Sequence, residues 1–211
     1  MNRTQLTQLL TVGIIGLTLL LGGCATRVQK HEKGFLSDYS KLEPVKGSDS
    51  IMHYVAPPET LAKYHAIILD PITVYFYQNS DVKKVDEKDV KHLEQVFYDE
   101  LKADLVAANF TLVTKPGPGV GRLRIAFTDL KKGTPALNVL PQTKVSGMGL
   151  GQATAEGEFV DSVTGVQLWS AIKSETGSRF SLSGLSEWGD VEELCRQWAK
   201  QLVAILSSEA R

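Results

Sequence analysis

The chain is poor in the residues from which most catalytic and metal centres are built. Its 211 residues include two cysteines and four histidines, and the histidines stand apart from one another at His31, His53, His65 and His92. None has a second ligand type two or four residues away in a convincing pattern, whereas metal sites need several ligands at close spacing. The sequence therefore predicts no metal centre and no cofactor.

An excess of charge of one sign is also missing. The 23 Lys and Arg residues are balanced by 24 Asp and Glu, which gives a formal net charge of −1. Proteins that bind nucleic acid carry a basic patch or stripe, because the phosphate backbone dominates their affinity. The composition therefore predicts no nucleic-acid partner.

The chain has one uncharged apolar run, residues 9–21, and the run is short. A membrane-spanning helix needs about 20 apolar residues, whereas a basic start, a short apolar core and small residues before the cut are typical of a secretory leader. We therefore predict a signal peptide over residues 1–23. An uncleaved signal anchor is the alternative, and it would also place the domain outside the cytoplasm.

The leader ends in Leu21-Gly22-Gly23-Cys24. This string resembles the lipobox of bacterial lipoproteins, in which the cysteine thiol receives a diacylglycerol and the new amino group is acylated after cleavage. The resemblance implies lipid attachment at Cys24 and a membrane as partner. Two or three acyl chains anchor a protein stably, since each buried methylene contributes about 0.8 kcal/mol.

The residue after Cys24 bears on the destination. In Gram-negative lipoproteins an Asp at this place favours retention in the inner membrane, and here it is Ala25. We therefore expect the periplasmic face of the outer membrane. Residues 24–33 are polar and basic and predict a tether, which at ~3.3 Å per residue reaches about 30 Å.

Removal of the 23-residue leader from 211 residues leaves 188, enough for one domain with a substantial core. We predict a single periplasmic domain over residues 34–211. With Cys24 consumed by lipid, Cys195 has no partner for an intrachain disulfide. It lies on the apolar stripe of the last predicted helix, so we expect it to act as a small hydrophobic side chain.

Hydrophobic periodicity predicts elements in the order β-α-β-β-β-β-α. Residues 64–77 predict strand segments broken at Asp70-Pro71. A helix should begin at Asp86, with a buried stripe every three or four residues, and end at Asn109. The last helix should begin near Ser186 to Asp190, and Asp190 and Glu193 have the spacing of a capping box.

The predicted strands combine into one sheet. A strand–helix–strand unit at the start should be parallel. After residues 110–114, a turn at 116–121 should return the chain as strand 123–130, and residues 162–165 should close another hairpin. We predict an α+β two-layer sandwich, with one mixed sheet and two helices on one face. Residues 131–152 form an unusually long connection, a feature that is often functional.

Apolar and aromatic residues reappear just before the first predicted strand. Among turn formers in 34–44 stand Phe35, Leu36, Tyr39 and Leu42, which we expect to dock on the domain as an N-terminal arm. Neighbours in residues 75–77, a run of three aromatics, alternate faces, so at least one should be exposed or covered by this arm.

These residues carry a family resemblance over nearly the whole mature chain. The opening 34–42 is similar to that of a family of proteobacterial lipoproteins known as a domain of unknown function. The similarity continues through Tyr54, Pro57, Tyr64, Asp70-Pro71, 157–161, 165–169, 188–190 and 198–199. It implies a lipoprotein with an envelope location and carries no catalytic role.

Glu156 and Glu158 are the candidate ligand-site residues. Two residues apart in a strand, they share one face, as carboxylates that divide an acid/base or calcium task must. A solvated sheet face would produce the same pattern without a function. Ser170 and Lys173 match the Ser-x-x-Lys motif, but in a strand their side chains point to opposite faces, so we predict no catalytic residue there.

The sequence thus favours a membrane-anchored lipoprotein whose domain is a non-enzymatic interaction or accessory module, with an envelope protein as the expected partner. A small periplasmic hydrolase or ligand-binding lipoprotein is the alternative, with a site at Glu156 and Glu158 or in the connection 131–152. A deep pocket with converging carboxylates would favour the alternative.

Overall fold

The computed structural model describes residues 34–75, 77, 85–134, 149–177 and 186–208. The predicted leader, the tether and Cys24 lie outside the described residues, as does most of the long connection. Within the described ranges, no helix is both long and apolar enough to cross a membrane.

Eight strands and three helices make up the described part of the chain. The strands are β1 (Glu43–Pro44), β2 (Ile51–Val55), β3 (Ala66–Leu69), β4 (Thr73–Val74), β5 (Thr111–Leu112), β6 (Val120–Lys131), β7 (Gln152–Asp161) and β8 (Gln167–Thr176). The helices are α1 (Pro58–Leu61), α2 (Glu87–Ala107) and α3 (Gly189–Ser208). The predicted α+β class with one mixed sheet and the two long helices on one face is confirmed.

The strands follow the order β1-β2-β8-β7-β6-β3-β5, and β4 pairs with the far end of β6. Strands β3 and β5, which flank α2 in the chain, are parallel as predicted. The turn at 116–121 does not close the predicted hairpin. Instead β5 and β6 lie on opposite sides of β3, and both run parallel to it. The apolar strand β3 is thus paired along both of its edges.

Strands β1 and β2 are absent from the predicted order. The residues of β2, Ile51–Val55, include four apolar or aromatic ones, which suits a strand, but they do not alternate with polar residues, and all five are half-buried in the structure. It pairs antiparallel with β8, and β1 pairs with β2 at the sheet edge.

Helix α2 begins as its sequence predicts. The Asp86 carboxylate accepts a hydrogen bond from the backbone N–H of Lys88 at 2.9 Å, and Asn109 has the left-handed φ of 67° after the helix end. The buried side of the helix consists of Leu93, Phe97, Leu101 and Leu105. It packs against α3 and the sheet in the main hydrophobic core.

Helix α3 begins at Gly189, within the predicted range, but its cap differs from the prediction. The Ser186 hydroxyl accepts a hydrogen bond from Gly189 N–H at 2.7 Å, while Asp190 lies inside the first turn. The Asp190 carboxylate accepts from the N–H of Gly151 at 3.0 Å, so the predicted capping box is wrong. The start of β7 offers this carboxylate a backbone donor that sequence spacing does not reveal.

Candidate functional site

Strand β7 carries both candidate glutamates on the sheet face opposite α2 and α3. Its alternate residues Ala155 and Phe159 join the core beneath the helices, so Glu156 and Glu158 point to the other side. Their exposed fractions are 1% and 0%. The solvated-face interpretation is therefore wrong, because another part of the chain covers this face.

The cover is the N-terminal arm, residues 34–42. Leu36, Tyr39 and Leu42 form a second apolar cluster with Ile172 of β8, and Phe35 packs against it. The predicted docking of these arm residues is confirmed. Ile172 lies directly opposite Glu156 in the sheet register, so the apolar contacts and the glutamates occupy the same covered face.

The two carboxylate oxygens of Glu158 differ: Oε2 accepts hydrogen bonds, whereas Oε1 makes an ion pair without a hydrogen bond. Oε2 accepts from Ser37 N–H at 2.8 Å, from Ser37 Oγ at 2.7 Å and from Gln167 Nε2 at 3.2 Å. Oε1 lies 2.9 Å from Arg124 NH1, and Arg124 is directly opposite on β6. Each of these partners carries a donor N–H or O–H group, which a carboxylate oxygen can accept.

Glu156 binds two tyrosine hydroxyls. Tyr39 of the arm donates to Oε2, and Tyr77 donates to Oε1 at 2.8 Å. The hydroxyls of Tyr39 and Tyr77 lie 3.1 Å apart, and Tyr39 Oη also accepts from Leu36 N–H at 3.0 Å. Burial raises the pKa of Tyr39 and of Tyr77, and the neighbouring Glu156 raises both further, so both hydroxyls keep their protons and act as donors.

Gly34 lets the arm enter this cluster. A Cβ at this position would lie 1.8 Å from the Tyr77 hydroxyl and 2.5 Å from that of Tyr39. Any side chain would therefore displace the two hydroxyls that bind Glu156. The backbone of the arm starts directly against the polar cluster.

These residues constitute one unit, which we call the arm lock: Ser37, Tyr39, Tyr77, Arg124, Glu156, Glu158 and Gln167. It brings together the two predicted site residues and the predicted arm. Sequence reasoning did not single out Ser37, Arg124 or Gln167. The signal that could have found Arg124 is its register, since a strand pairing that places it opposite Glu158 pairs opposite charges.

The arm lock satisfies carboxylates rather than offering them to a substrate. Each glutamate is buried and bonded by groups of its own chain, so an incoming ligand would first have to displace the arm. Within the described residues, no group of three or more His, Cys, Asp or Glu side chains could hold a metal ion. The arrangement is suited to fastening the arm.

The remaining chemical candidates are positioned as the sequence predicts. Ser170 lies opposite Glu158 in the β7–β8 register, so it belongs to the arm face, while Lys173 is on the helix face. Cys195 is fully buried in the main core. Burial raises the pKa of its thiol, so the group is an unreactive apolar side chain.

Solved structures with similar folds have low sequence identity to this chain. The PelC dodecamer from Paraburkholderia phytofirmans is 15% identical, with 77% of this chain and 98% of that chain covered and a TM-score of 0.45. A minor lipoprotein from Acinetobacter baumannii is 13% identical, with 69% and 92% covered and a TM-score of 0.37. At such values these similarities carry no argument about this chain.

A search of curated proteins finds no match. A family model does match, and it spans residues 31–202, from just before the arm to the second half of α3. The match includes every residue of the arm lock, and it is consistent with the family resemblance noted in the sequence. The chain therefore belongs to the family described as protein of unknown function, DUF3313.

Proposed function

We propose that the protein is a lipoprotein of the cell envelope, attached through Cys24 to the periplasmic face of the outer membrane, whose domain is a non-enzymatic interaction module. The observation that carries this proposal is the arm lock. It uses the two buried glutamates of β7 to fasten the arm, the segment that directly follows the predicted tether.

The arm lock supports the anchoring role because it determines where the tether leaves the domain. Residues 24–33 span about 30 Å when extended, and residue 34 is already packed against Tyr39 and Tyr77. A membrane attached at Cys24 therefore stays within that distance of the covered sheet face. Ser37 and Tyr39 bond the arm to the central strand β7.

The arm lock also supports an interaction role over catalysis. In the acidic pair that the sequence offers as a candidate site, Glu158 is engaged by the arm, Gln167 and Arg124. Glu156 is engaged by the arm and Tyr77. A general acid or base must reach its substrate within hydrogen-bond distance. These carboxylates instead stabilise the chain that connects the domain to its membrane.

Anchoring is tested by metabolic labelling with an alkyne analogue of palmitate and fractionation of the two membranes. Wild type should be labelled and should sediment with the outer membrane. Cys24→Ser should lose the label, and Cys195→Ser is the matched control that should keep it. Label retained by Cys24→Ser would reject the proposed attachment site.

A second variant tests whether the protein is sorted to the outer membrane. Ala25→Asp should keep the label but shift the protein to the inner membrane. An unchanged distribution would contradict the outer-membrane assignment.

The interaction role is tested by crosslinking in cells with mass spectrometry of captured proteins. Repeated capture of one envelope protein by wild type, lost in Cys24→Ser, would support the module. Absence of any protein above background would reject it, since an interaction module must have a partner at its own location.

A further inference from the structure

On the face opposite the arm lock, a cavity of about 300 Å³ opens between α3 and the sheet. Its floor consists of the small residues Ala155, Gly157 and Ala171, on the strands β7 and β8. Small side chains leave a gap beneath the helix that larger ones would fill. Ala155 and Ala171 leave this space open, whereas at Gly157 a Cβ would already lie 3.2 Å from Ile125 and from the Trp169 ring.

The walls of the cavity are apolar and aromatic. They are formed by Phe97 of α2, Trp198, Leu202 and Ile205 of α3, and Trp169 of β8, with Val45 and Ile51 at the side of the sheet edge. Ligand pockets are typically apolar spaces of about 300 Å³ or more with a few placed polar groups. The lining therefore favours a hydrocarbon ligand over a polar one.

The polar side chains of the lining on this face are those of Lys173, Gln201 and His53. His53 lies opposite Ala171 in the sheet register. The side chain of Lys173 is 14% exposed, and its Nζ contacts the exposed Gln201 and lies 3.3 Å from Glu175 Oε2. The same Nζ lies 5.7 Å from the centre of the Trp198 ring. The ammonium group of Lys173 thus lies at the boundary between the apolar lining and solvent.

Burial lowers the pKa of Lys173, while Glu175 raises it in part. The ammonium group has thus lost hydration that its neighbours only partly replace. An additional anion beside Nζ would replace more of it.

We propose that this cavity binds the aliphatic chain of a single-chain amphiphile, with the anionic head group lying against Lys173. An extended hydrocarbon fits a narrow space with aromatic walls and a small-residue floor. A chain with one charged end matches a lining that, on this face, is apolar apart from Lys173, Gln201 and His53.

The probe is dodecanoate, added to the mature chain without its lipidated cysteine, residues 25–211, which retains every described residue. Purification without detergent keeps the cavity free of competing amphiphile. Quenching of tryptophan emission and displacement of 11-(dansylamino)undecanoic acid measure affinity, and native mass spectrometry measures stoichiometry. Saturable one-to-one binding is expected, and its absence below the critical micelle concentration would overturn the proposal.

Chain length tests whether the hydrocarbon enters the cavity. Decanoate should bind about fifteenfold more tightly than octanoate, since each buried methylene contributes about a factor of four, equivalent to ~0.8 kcal/mol. Equal affinities would show that the chain remains in solvent and would overturn the proposal.

Ala171→Leu should reduce dodecanoate affinity at least tenfold, because it adds three carbons to the floor. Ala204→Leu, which adds the same atoms at an exposed position of α3, is the matched control and should bind like wild type. Melting temperatures of both variants separate loss of binding from loss of folding. Unchanged binding by a folded Ala171→Leu protein would place the ligand elsewhere.

Lys173→Gln tests the head group. It should weaken dodecanoate several-fold and leave neutral dodecanol unchanged, whereas Lys132→Gln, at an exposed lysine, should affect neither. Equal loss of both ligands, or loss of neither, would overturn the assignment of the head group to Lys173.

Discussion

The two faces of the sheet are buried by different means. On the helix face, Phe127, Leu123 and their neighbours pack against α2 and α3 in one apolar core. On the arm face, a nine-residue segment covers two glutamates and holds them with directional bonds. Strand β7 supplies both faces through alternate residues, so one strand participates in two kinds of stabilisation.

The two faces contribute differently to the fold, one mainly to its free energy and the other mainly to the position of the arm. Apolar burial contributes about 25 cal/mol per Å² wherever the surface fits, without a preferred direction. Hydrogen bonds to buried carboxylates contribute less net free energy than the apolar core does. They do require a defined geometry, because a buried group that loses its partner carries the full cost of desolvation. The helix face therefore stabilises the domain, and the arm face determines the position of a short segment.

The largest loss of stability should follow truncation on the helix face. Phe127 is fully buried and its ring centre lies 5.7 Å from that of Phe97. Phe127→Ala should lower the free energy of unfolding by about 3–5 kcal/mol through lost burial and a cavity. Urea denaturation measures this, and a loss below that of Glu158→Gln would reverse the proposed ranking of the faces.

A smaller and more local effect should follow Glu158→Gln. The neutral amide cannot accept on both sides, so the contacts with Ser37 or with Arg124 are weakened. We expect a loss of about 1–3 kcal/mol, accompanied by faster hydrogen exchange of the Leu36 and Ser37 amides. Hydrogen exchange of the Leu101 amide in α2 should change little. Equally faster exchange of amides throughout the domain would contradict local opening of the arm.

Tyr39→Phe should cost about 1 kcal/mol, because it removes one hydroxyl while keeping the ring buried. That hydroxyl binds Glu156 and accepts from Leu36 N–H. Tyr75→Phe is the matched control, since Tyr75 is 37% exposed, and it should unfold like wild type. Equal stability of the two variants would show that the arm is held by apolar contacts alone.

At high pH the arm face should lose stability before the helix face. A raised tyrosine pKa means that stabilisation is complete below the unfolded value of about 10 and is lost as pH rises through the folded value. Burial raises the pKa of Tyr39 and Tyr77, and burial with the Asp161 contact raises that of Tyr64 to about 12.

We therefore expect arm protection to decline above pH ~10 before the helix core is lost. Susceptibility of residues 34–42 to a protease active at alkaline pH, followed alongside circular dichroism, measures this. In the Tyr39→Phe variant, opening of the arm should depend less steeply on pH than in wild type. Simultaneous loss of both signals in wild type would show that the faces unfold as one unit.

The smallest effect should come from a pair that belongs to neither face. Lys132 Nζ lies 3.1 Å from Glu187 Oε2, and both side chains are more than half exposed. Lys132→Ala should change the free energy of unfolding by less than about 1 kcal/mol. A larger loss in thermal or urea unfolding would mean that exposed pairs rival the arm lock.

Local signals predicted the parts of the fold that depend on local physics. The Asp86 cap, the buried stripe of α2 and the left-handed Asn109 each arise within one or two helical turns. The arm was predictable because apolar side chains reappear abruptly after a polar segment. The hairpin loop between β7 and β8 follows from its turn residues, with Gly165 at a φ of 72°.

Contacts between distant residues were not predictable in the same way. Burial of Glu156 and Glu158 requires the arm to cross β7, and charged residues are rarely buried without partners. The role of Asp190 depends on Gly151, 39 residues away. Strand β2 exists because β8 offers an edge, and its own five residues give no clear periodic signal.

The contacts of the arm lock join segments made at very different times. Ser37 and Glu158 are 121 residues apart, and Tyr39 and Glu156 are 117 apart. A chain grows from its N-terminus, so the Tyr39 bond cannot form before Glu156 has been synthesised, nor the Ser37 bond before Glu158. Such high contact order slows closure. The arm is therefore synthesised well before β7 and stays undocked until that strand supplies its two glutamates.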